Sequence, residues 1–188
     1  MKDVVIGCIT NYTFDKIKNF VNSIEQSSFD GYKVMVVYNV PKNTVDELEN
    51  RGWVVMSFNY DEKSEYYLYK QNFRVMCDRQ LHYHEAINQL QSEVGNLRYV
   101  IALDPKDVIL QSNPSDWLEK NIGDKKINVG CESIRYRDEP WGRSNLVESF
   151  GESIYERCKD NLIFNCGTLA GEWKTMSELF LNIYTMCI

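Results

Sequence analysis

The sequence predicts a three-layer α/β/α sandwich built on a mostly parallel central sheet. Three observations carry that reading. Short apolar runs alternate with amphipathic or polar segments along the chain, which is the pattern of strands joined by crossover helices. The run Tyr99-Val100-Ile101-Ala102-Leu103 is apolar without interruption, as a strand buried on both faces must be. The 188 residues, 44% apolar and 26% charged, suffice for one domain with a proper core, expected to span residues 1–188.

The elements follow in order. Val4-Val5-Ile6 marks a first strand over residues 3–10, and Ile17, Phe20, Val21 and Ile24 recur at helical spacing over 14–26. A second strand is expected over 33–38, a short helix over 43–50, and a third strand over 53–58. A polar, tyrosine-rich segment (65–69) leads into a long helix from about residue 71 to 91. The strand over 99–103 comes next, with Val108-Ile109-Leu110-Gln111 as a short continuation and a small helix opening at Asp116. Another strand is expected over 126–132, a strand and then a turn over 163–171, and a final helix over 172–186.

Composition narrows the function. A net charge of -6 argues against a nucleic-acid backbone or an anionic membrane as the main partner. No apolar run approaches the ~18 residues of a membrane span, and the N-terminus reads as a strand, not a signal peptide. Cys8, Cys77, Cys131, Cys158, Cys166 and Cys187 show no CxxC spacing, and several lie in apolar segments. That usage fits reduced, core-type thiols and a cytoplasmic location, and it speaks against zinc. Asn11-Tyr12-Thr13 matches a glycosylation sequon, which carries little weight without a secretory signal.

Four constellations carry chemistry. Asp104 falls where the buried strand leaves the sheet, the edge at which open α/β folds bind ligands. Asp104 and Asp107, on a turn stiffened by Pro105, suit a hard divalent cation and through it a diphosphate; the same residues also suit a strand end and a turn cap. Thr10, Asn11 and Tyr12 follow the first strand, where an aromatic can stack on a base and Asn or Thr can bond its edges; Asn11 or Thr13 equally suits the cap of the next helix. Arg79, with Arg74 near it on the long helix, can aim its fork at a phosphate or at the acidic turn. In Phe164-Asn165-Cys166-Gly167-Thr168-Leu169-Ala170-Gly171, the glycines admit close backbone approach, and Asn165 and Thr168 match sugar hydroxyls. His82 and His84, two apart, face different sides of a helix and are read as structural. No GxGxxG or GxxxxGK[ST] occurs, which removes dinucleotide and P-loop readings.

Taken in order, these segments resemble the nucleotide-sugar-dependent glycosyltransferases of the GT-A, Rossmann-like fold. The most specific stretch is Asp104-Pro105-Lys106-Asp107-Val108-Ile109-Leu110-Gln111-Ser112-Asn113-Pro114, similar to a variant of that family's acidic motif. The resemblance implies that Asp104 and Asp107 hold Mn²⁺ or Mg²⁺ against the diphosphate of a nucleoside-diphosphate sugar. It places Thr10, Asn11, Tyr12 and Arg79 at the nucleotide and its phosphates. Asn165, Gly167 and Thr168 would line the donor-sugar and acceptor pocket, with Asp104, Asp107 and Asn165 as the catalytic residues and Glu132 and the Asp138-Glu139-Pro140-Trp141 loop beside the acceptor. It implies a hexosyl- or deoxyhexosyltransferase acting on a hydroxyl of a glycan or a protein-linked sugar. Such enzymes usually carry a further segment with an acidic residue after the last helix seen here; this sequence stops at Met186-Cys187-Ile188, so the resemblance implies a minimal protein or a domain of a longer one. Two rival readings accompany it: a catalytically weak nucleotide-sugar-binding domain of the same fold, and a nucleotidyltransferase. The latter would show a glycine-rich, basic first loop, which Gly7-Cys8-Ile9-Thr10-Asn11-Tyr12 lacks.

Overall fold

A computed structural model describes residues 1–58 and 65–187, without the side chains of 65–74 and 187. Six strands form one sheet: β1 (Lys2–Thr10), β2 (Tyr32–Tyr38), β3 (Val54–Phe58), β4 (Leu97–Leu103), β5 (Ile127–Arg135) and β6 (Leu162–Glu172). Their order is β3-β2-β1-β4-β6-β5. The pairs β1–β2, β2–β3 and β1–β4 are parallel, whereas β6 runs antiparallel to both β4 and β5. The expected mostly parallel sandwich is therefore the observed one.

The helices are α1 (Lys18–Gln26), α2 (Lys42–Asn50), α3 (Glu65–Val94), α4 (Pro114–Asn121), α5 (Pro140–Phe150), α6 (Glu152–Cys158) and α7 (Trp173–Cys187). Alternating residues of the strands feed two cores. Val4, Ile6, Val100 and Ala102 pack with Tyr83 and Ile87 of α3 and with Met176 and Phe180 of α7. Val5, Ile9, Ile101 and Leu103 pack with Phe20, Val21 and Ile24 of α1, Leu48 of α2 and Leu118 of α4. Period-2 alternation in strands buried on both faces requires this division.

Several local expectations change. The first helix begins as a 3₁₀ turn (Phe14–Lys16), and α3 starts at Glu65, so the tyrosine-rich segment is helical rather than a lead-in. The side chains of that segment and of Arg74 lie outside the described residues. Val108-Ile109-Leu110-Gln111 forms no strand. The Val108 amide donates to the Asp104 carbonyl and the Leu110 amide to Ser23 Oγ, at 3.1 and 3.0 Å, so these amides are not available to a ladder. Residues 163–171 are not a strand and a turn but part of one long strand, because β6 pairs with β4 through Glu172. Helix α5 carries no clear apolar stripe; it is set instead by its start, with Pro140 in the first turn and the Glu139 carboxylate accepting from the Trp141 and Gly142 amides.

The cysteines divide. Cys77 is buried and Cys8 and Cys158 half-buried, but Cys131 and Cys166 are exposed, and none of the five is in a disulfide. His82 stacks on Phe58 at 3.6 Å and meets the Tyr38 hydroxyl at 2.5 Å, while His84 bonds the Ser177 carbonyl at 3.0 Å. Both serve packing, as their spacing predicts. Among the described residues no helix is long and apolar enough to cross a membrane.

Gly171 shows how tightly the antiparallel edge is built. It pairs with Val100 on one side and Ile127 on the other, and a Cβ there would run into the Lys126 carbonyl. Gly171→Ala is expected to cost about 2–3 kcal/mol through backbone displacement, a drop of roughly 5–10 °C in Tm. Thermal melting by circular dichroism checks it.

Candidate functional site

The chain leaves β1 toward β2 and β3 on one side and later returns as β4 on the other. The carboxyl ends of β1 and β4 are thus the switch point of the sheet, where open α/β folds leave a crevice. Ile6 pairs with Ala102, and extending that register brings Cys8 level with Asp104. Gly7 permits the approach: a Cβ at that position would stand 2.7 Å from Pro105 Cγ.

Asp104 is fixed through its backbone. Its amide donates to the Gly167 carbonyl at 3.0 Å, and its own carbonyl accepts from the Asp107 and Val108 amides at 3.2 and 3.1 Å. The capping group of the acidic turn is therefore the Asp104 carbonyl, so no carboxylate is consumed in forming it. Asp104 Oδ1 accepts from Arg79 Nη1 at 3.2 Å. Oδ2 lies over Gly167, where a Cβ would come within 3.0 Å of it and 2.9 Å of Asn165 Oδ1. Asp107 and Lys106 are exposed.

Arg79 reaches in from α3. Its Nη2 lies 3.6 Å from Cys166 Sγ, and its Nε is buried without a hydrogen-bond partner. Burial opposes its charge, but the Asp104 carboxylate beside it favours the protonated guanidinium. Burial pushes the Cys8 thiol up to about 12, so this sulfur stays protonated and inert as a nucleophile.

The β1 loop completes the crevice. Asn11 adopts a left-handed backbone (φ 54°), a conformation asparagine tolerates, and its amide donates to the Tyr38 carbonyl at 3.0 Å. Thr13 stands at the N-cap of the following turn but makes no side-chain cap hydrogen bond; the Phe14 amide goes to Thr44 Oγ1 of α2 at 3.1 Å. Tyr12 carries Lys16 Nζ 5.0 Å from its ring centroid. The resulting cavity, about 340 Å³, is lined by Cys8, Ile9, Thr10, Tyr12, Val75, Met76, Arg79 and the turn from Asp104 to Asp107.

The sequence reading therefore converges on this crevice for Thr10, Tyr12, Arg79, Asp104 and Asp107, with Gly167 beneath Asp104, whereas Asn11 is exposed and outside the lining. Asn165 acts as a buttress: its Nδ2 donates to Glu132 Oε1 at 2.6 Å and its Oδ1 accepts from the Gly167 amide at 2.5 Å. Thr168 lines a separate cavity of about 390 Å³ with Leu103, Gly130, Trp117 and Leu118. Glu139 is spent as the cap of α5. The reading missed Met76 and Cys8 as lining residues and Cys166 as a neighbour of Arg79. Met76 was findable, since it lies one helical turn before Arg79 on the same face.

Among the described residues no three His, Cys, Asp or Glu side chains converge as a metal cluster. Two carboxylates on one turn nonetheless fit a hard divalent ion that keeps its remaining positions for water and phosphate, as Mg²⁺ commonly does. Asp104 and Asp107 would hold it.

The sheet order and the crevice at its switch point define a doubly wound α/β domain with an acidic ligand edge. This architecture is the GT-A glycosyltransferase fold. Galactosyltransferase LgtC, in complex with donor and acceptor sugar analogs, superposes with a TM-score of 0.52 at 12% identity, over 98% of this chain and 66% of that one. An active-site mutant of LgtC gives 0.55 at 12% identity, covering 98% and 65%. Mouse xyloside xylosyltransferase 1 gives 0.51 at 13% identity, covering 96% and 71%. The chain thus spans about two thirds of the length of LgtC. No family model matches the sequence, and no curated protein does.

Proposed function

We propose that this chain is a metal-dependent glycosyltransferase that moves a hexosyl or deoxyhexosyl unit from a nucleoside-diphosphate sugar to a hydroxyl of a glycan or protein-linked sugar. The observation that carries the reading is one cavity at the switch point that joins two carboxylates on a rigid turn to a buried arginine with an unpartnered Nε. The fold shared with LgtC and xyloside xylosyltransferase 1 supports it.

In this reading Mn²⁺ or Mg²⁺, when bound, neutralises charge on the leaving diphosphate. Asp104 and Asp107 hold the ion, and Arg79 adds a fixed positive charge toward the phosphates. Tyr12 offers a ring to the base, with Thr10 and Asn11 beside it. Asn165 keeps Gly167 and Asp104 in register, and the bare Gly167 backbone lets the Asp104 carboxylate lie against it. The acceptor oxygen bonds to the anomeric carbon, the bond from that carbon to the diphosphate breaks, and the hydroxyl proton passes to solvent. A cytoplasmic location accompanies this proposal.

The test is calorimetry with a panel of nucleoside-diphosphate sugars, with and without Mn²⁺. At least one donor is expected to bind with Kd on the order of 0.1 mM, weakening at least about tenfold when the metal is chelated. Binding indifferent to metal overturns the proposal. Among the described residues Asp104 and Asp107 are the only carboxylates lining the cavity, which favours a binding-only domain as the second reading; tight metal-dependent binding with neither transfer nor donor hydrolysis would select it.

A further inference from the structure

The pairing of β5 with β6 breaks beside the acidic turn. Val129 pairs with Leu169 and the next pair is Cys131 with Phe164, so residues 165–168 of β6 stand against Gly130 alone. Gly130 admits them, since a Cβ there would come 2.6 Å from Thr168 Oγ1. From Cys131 to Arg135 the excess reverses, and residues 132–134 of β5 stand against Ile163 alone. Ser133 takes up the extra length in a left-handed backbone (φ 57°), which costs a residue with a Cβ about 1–2 kcal/mol. Bulges of this kind re-aim side chains, and here two adjoin.

Glu132 bridges the two bulges. Its Oε1 accepts from Asn165 Nδ2 at 2.6 Å, and Asn165 Oδ1 accepts from the Gly167 amide at 2.5 Å. The Gly167 carbonyl in turn accepts from the Asp104 amide at 3.0 Å, and Asp104 Oδ2 lies over Gly167. The bond from Gly167 to Asn165 spans two residues, a local turn contact that is weak by itself. Glu132 adds a second anchor from another strand, and its carboxylate makes that bond a charge-assisted one. A carboxylate only accepts and a backbone amide only donates, so the pair leaves the Asn165 side chain a single orientation. Glu132 and Asn165 both stand outside the cavity lining.

We infer that Glu132 is a positioning residue for the metal-binding turn, acting through Asn165 and Gly167 on Asp104 rather than on the acceptor. The inference rests on the glycosyl-transfer reading of the same site. Without the Glu132 carboxylate, Asn165 regains its other rotamers and the Gly167 amide loses its fixed acceptor. Asp104, seated on Gly167 through both backbone and side chain, then loses its fixed place beside Asp107.

Two measurements test the relay together: hydrogen exchange at the Gly167 amide, read by NMR on the free protein, and calorimetry with Mn²⁺ and the nucleoside-diphosphate sugars. Glu132→Ala is expected to speed Gly167 exchange at least about fivefold. It should also weaken metal-dependent donor binding about tenfold, the lower end for a residue that orients a metal ligand from behind. Glu132→Gln keeps both near wild type, because its carboxamide oxygen still accepts from Asn165 Nδ2. Adding Glu132→Ala to Asn165→Ala costs no further donor affinity, as a single chain of contacts requires. An acceptor contact would leave Gly167 exchange and donor affinity untouched in Glu132→Ala, and either of them unchanged overturns the inference. So does a Glu132→Gln variant as impaired as Glu132→Ala, or a donor loss that adds in full to that of Asn165→Ala. If no donor binds the wild type while Gly167 exchange still follows Glu132, the transfer reading falls and the hold of Glu132 on Gly167 stands.

Discussion

Asp104→Asn is expected to weaken metal-dependent donor binding about 100-fold, close to 2.7 kcal/mol. Asparagine keeps the size and one acceptor oxygen of the side chain but removes the charge that a divalent ion needs. The backbone of the acidic turn is untouched, because the Asp104 carbonyl and amide make its hydrogen bonds. The substitution also strips Arg79 of its carboxylate partner, and the Arg79 side chain is only 13% exposed. Breaking a fully buried ion pair costs about 3–5 kcal/mol. The Asp104 side chain is 34% exposed and asparagine still accepts a hydrogen bond, so a stability loss of about 1–2 kcal/mol is expected. Adding Arg79→Met to Asp104→Asn should recover most of that stability and none of the binding. Denaturant melts and calorimetry with Mn²⁺ read the two effects separately; donor binding that survives Asp104→Asn with its metal dependence intact would sink the proposed metal site.

The second large effect lies at the opposite edge of the sheet. Asp3 is 3% exposed and accepts from Arg98 Nε and Nη2, both at 2.9 Å, and from the Tyr99 amide at 3.1 Å. This cluster ties the start of β1 to β4. Asp3→Ala leaves a buried amide and a guanidinium without their acceptor, at a cost of about 3 kcal/mol. The low end of the buried-pair range applies because Arg98 is 28% exposed and keeps Glu119 at 3.1 Å. Tm should fall by roughly 6–12 °C for a domain of this size.

A pH dependence accompanies the loss. Burial by itself raises the Asp3 pKa, but the hydrogen bonds from Arg98 and Ser115 and the guanidinium charge outweigh it and hold the carboxyl below its ordinary value of 3.8. A folded value below the unfolded one means the contribution is fully present above about pH 4–5 and fades as pH falls through the folded value. Acid titration of stability should therefore be shallower in Asp3→Asn than in the wild type over that window. Parallel slopes would show that Asp3 is not the group being titrated.

The central strands were legible because each carries its burial in consecutive residues. Val4-Val5-Ile6 and Val100-Ile101-Ala102-Leu103 are buried on both faces, and the Ile17, Phe20, Val21 and Ile24 face of the first helix packs into the core as its spacing predicts. The region after the acidic turn was less legible. Helix α5 presents no apolar stripe, and the segment 108–111 is as apolar as a strand but spends its amides elsewhere. A hydrophobic count registers composition and does not register where a backbone hydrogen bond goes. Within the candidate site, Asp104 and Asp107 could be picked out because a strand end beside a carboxylate is a local pattern. Cys166 could not, since nothing in its neighbours announces Arg79.

By itself the sequence determined the class of fold, and it marked the sheet edge and the two carboxylates of the candidate site, since each follows from short-range periodicity and from where a buried run stops. Only the tertiary structure decided which side chains meet there. Arg79 joins Asp104 across 25 residues and Cys166 across 87, while Asn165 closes on Glu132 across 33. It also turned Thr168 toward a different cavity from Asp104, although its neighbour Gly167 supports that aspartate. Such partnerships depend on strand order, register and bulges, which long-range packing sets and no window of neighbouring residues encodes.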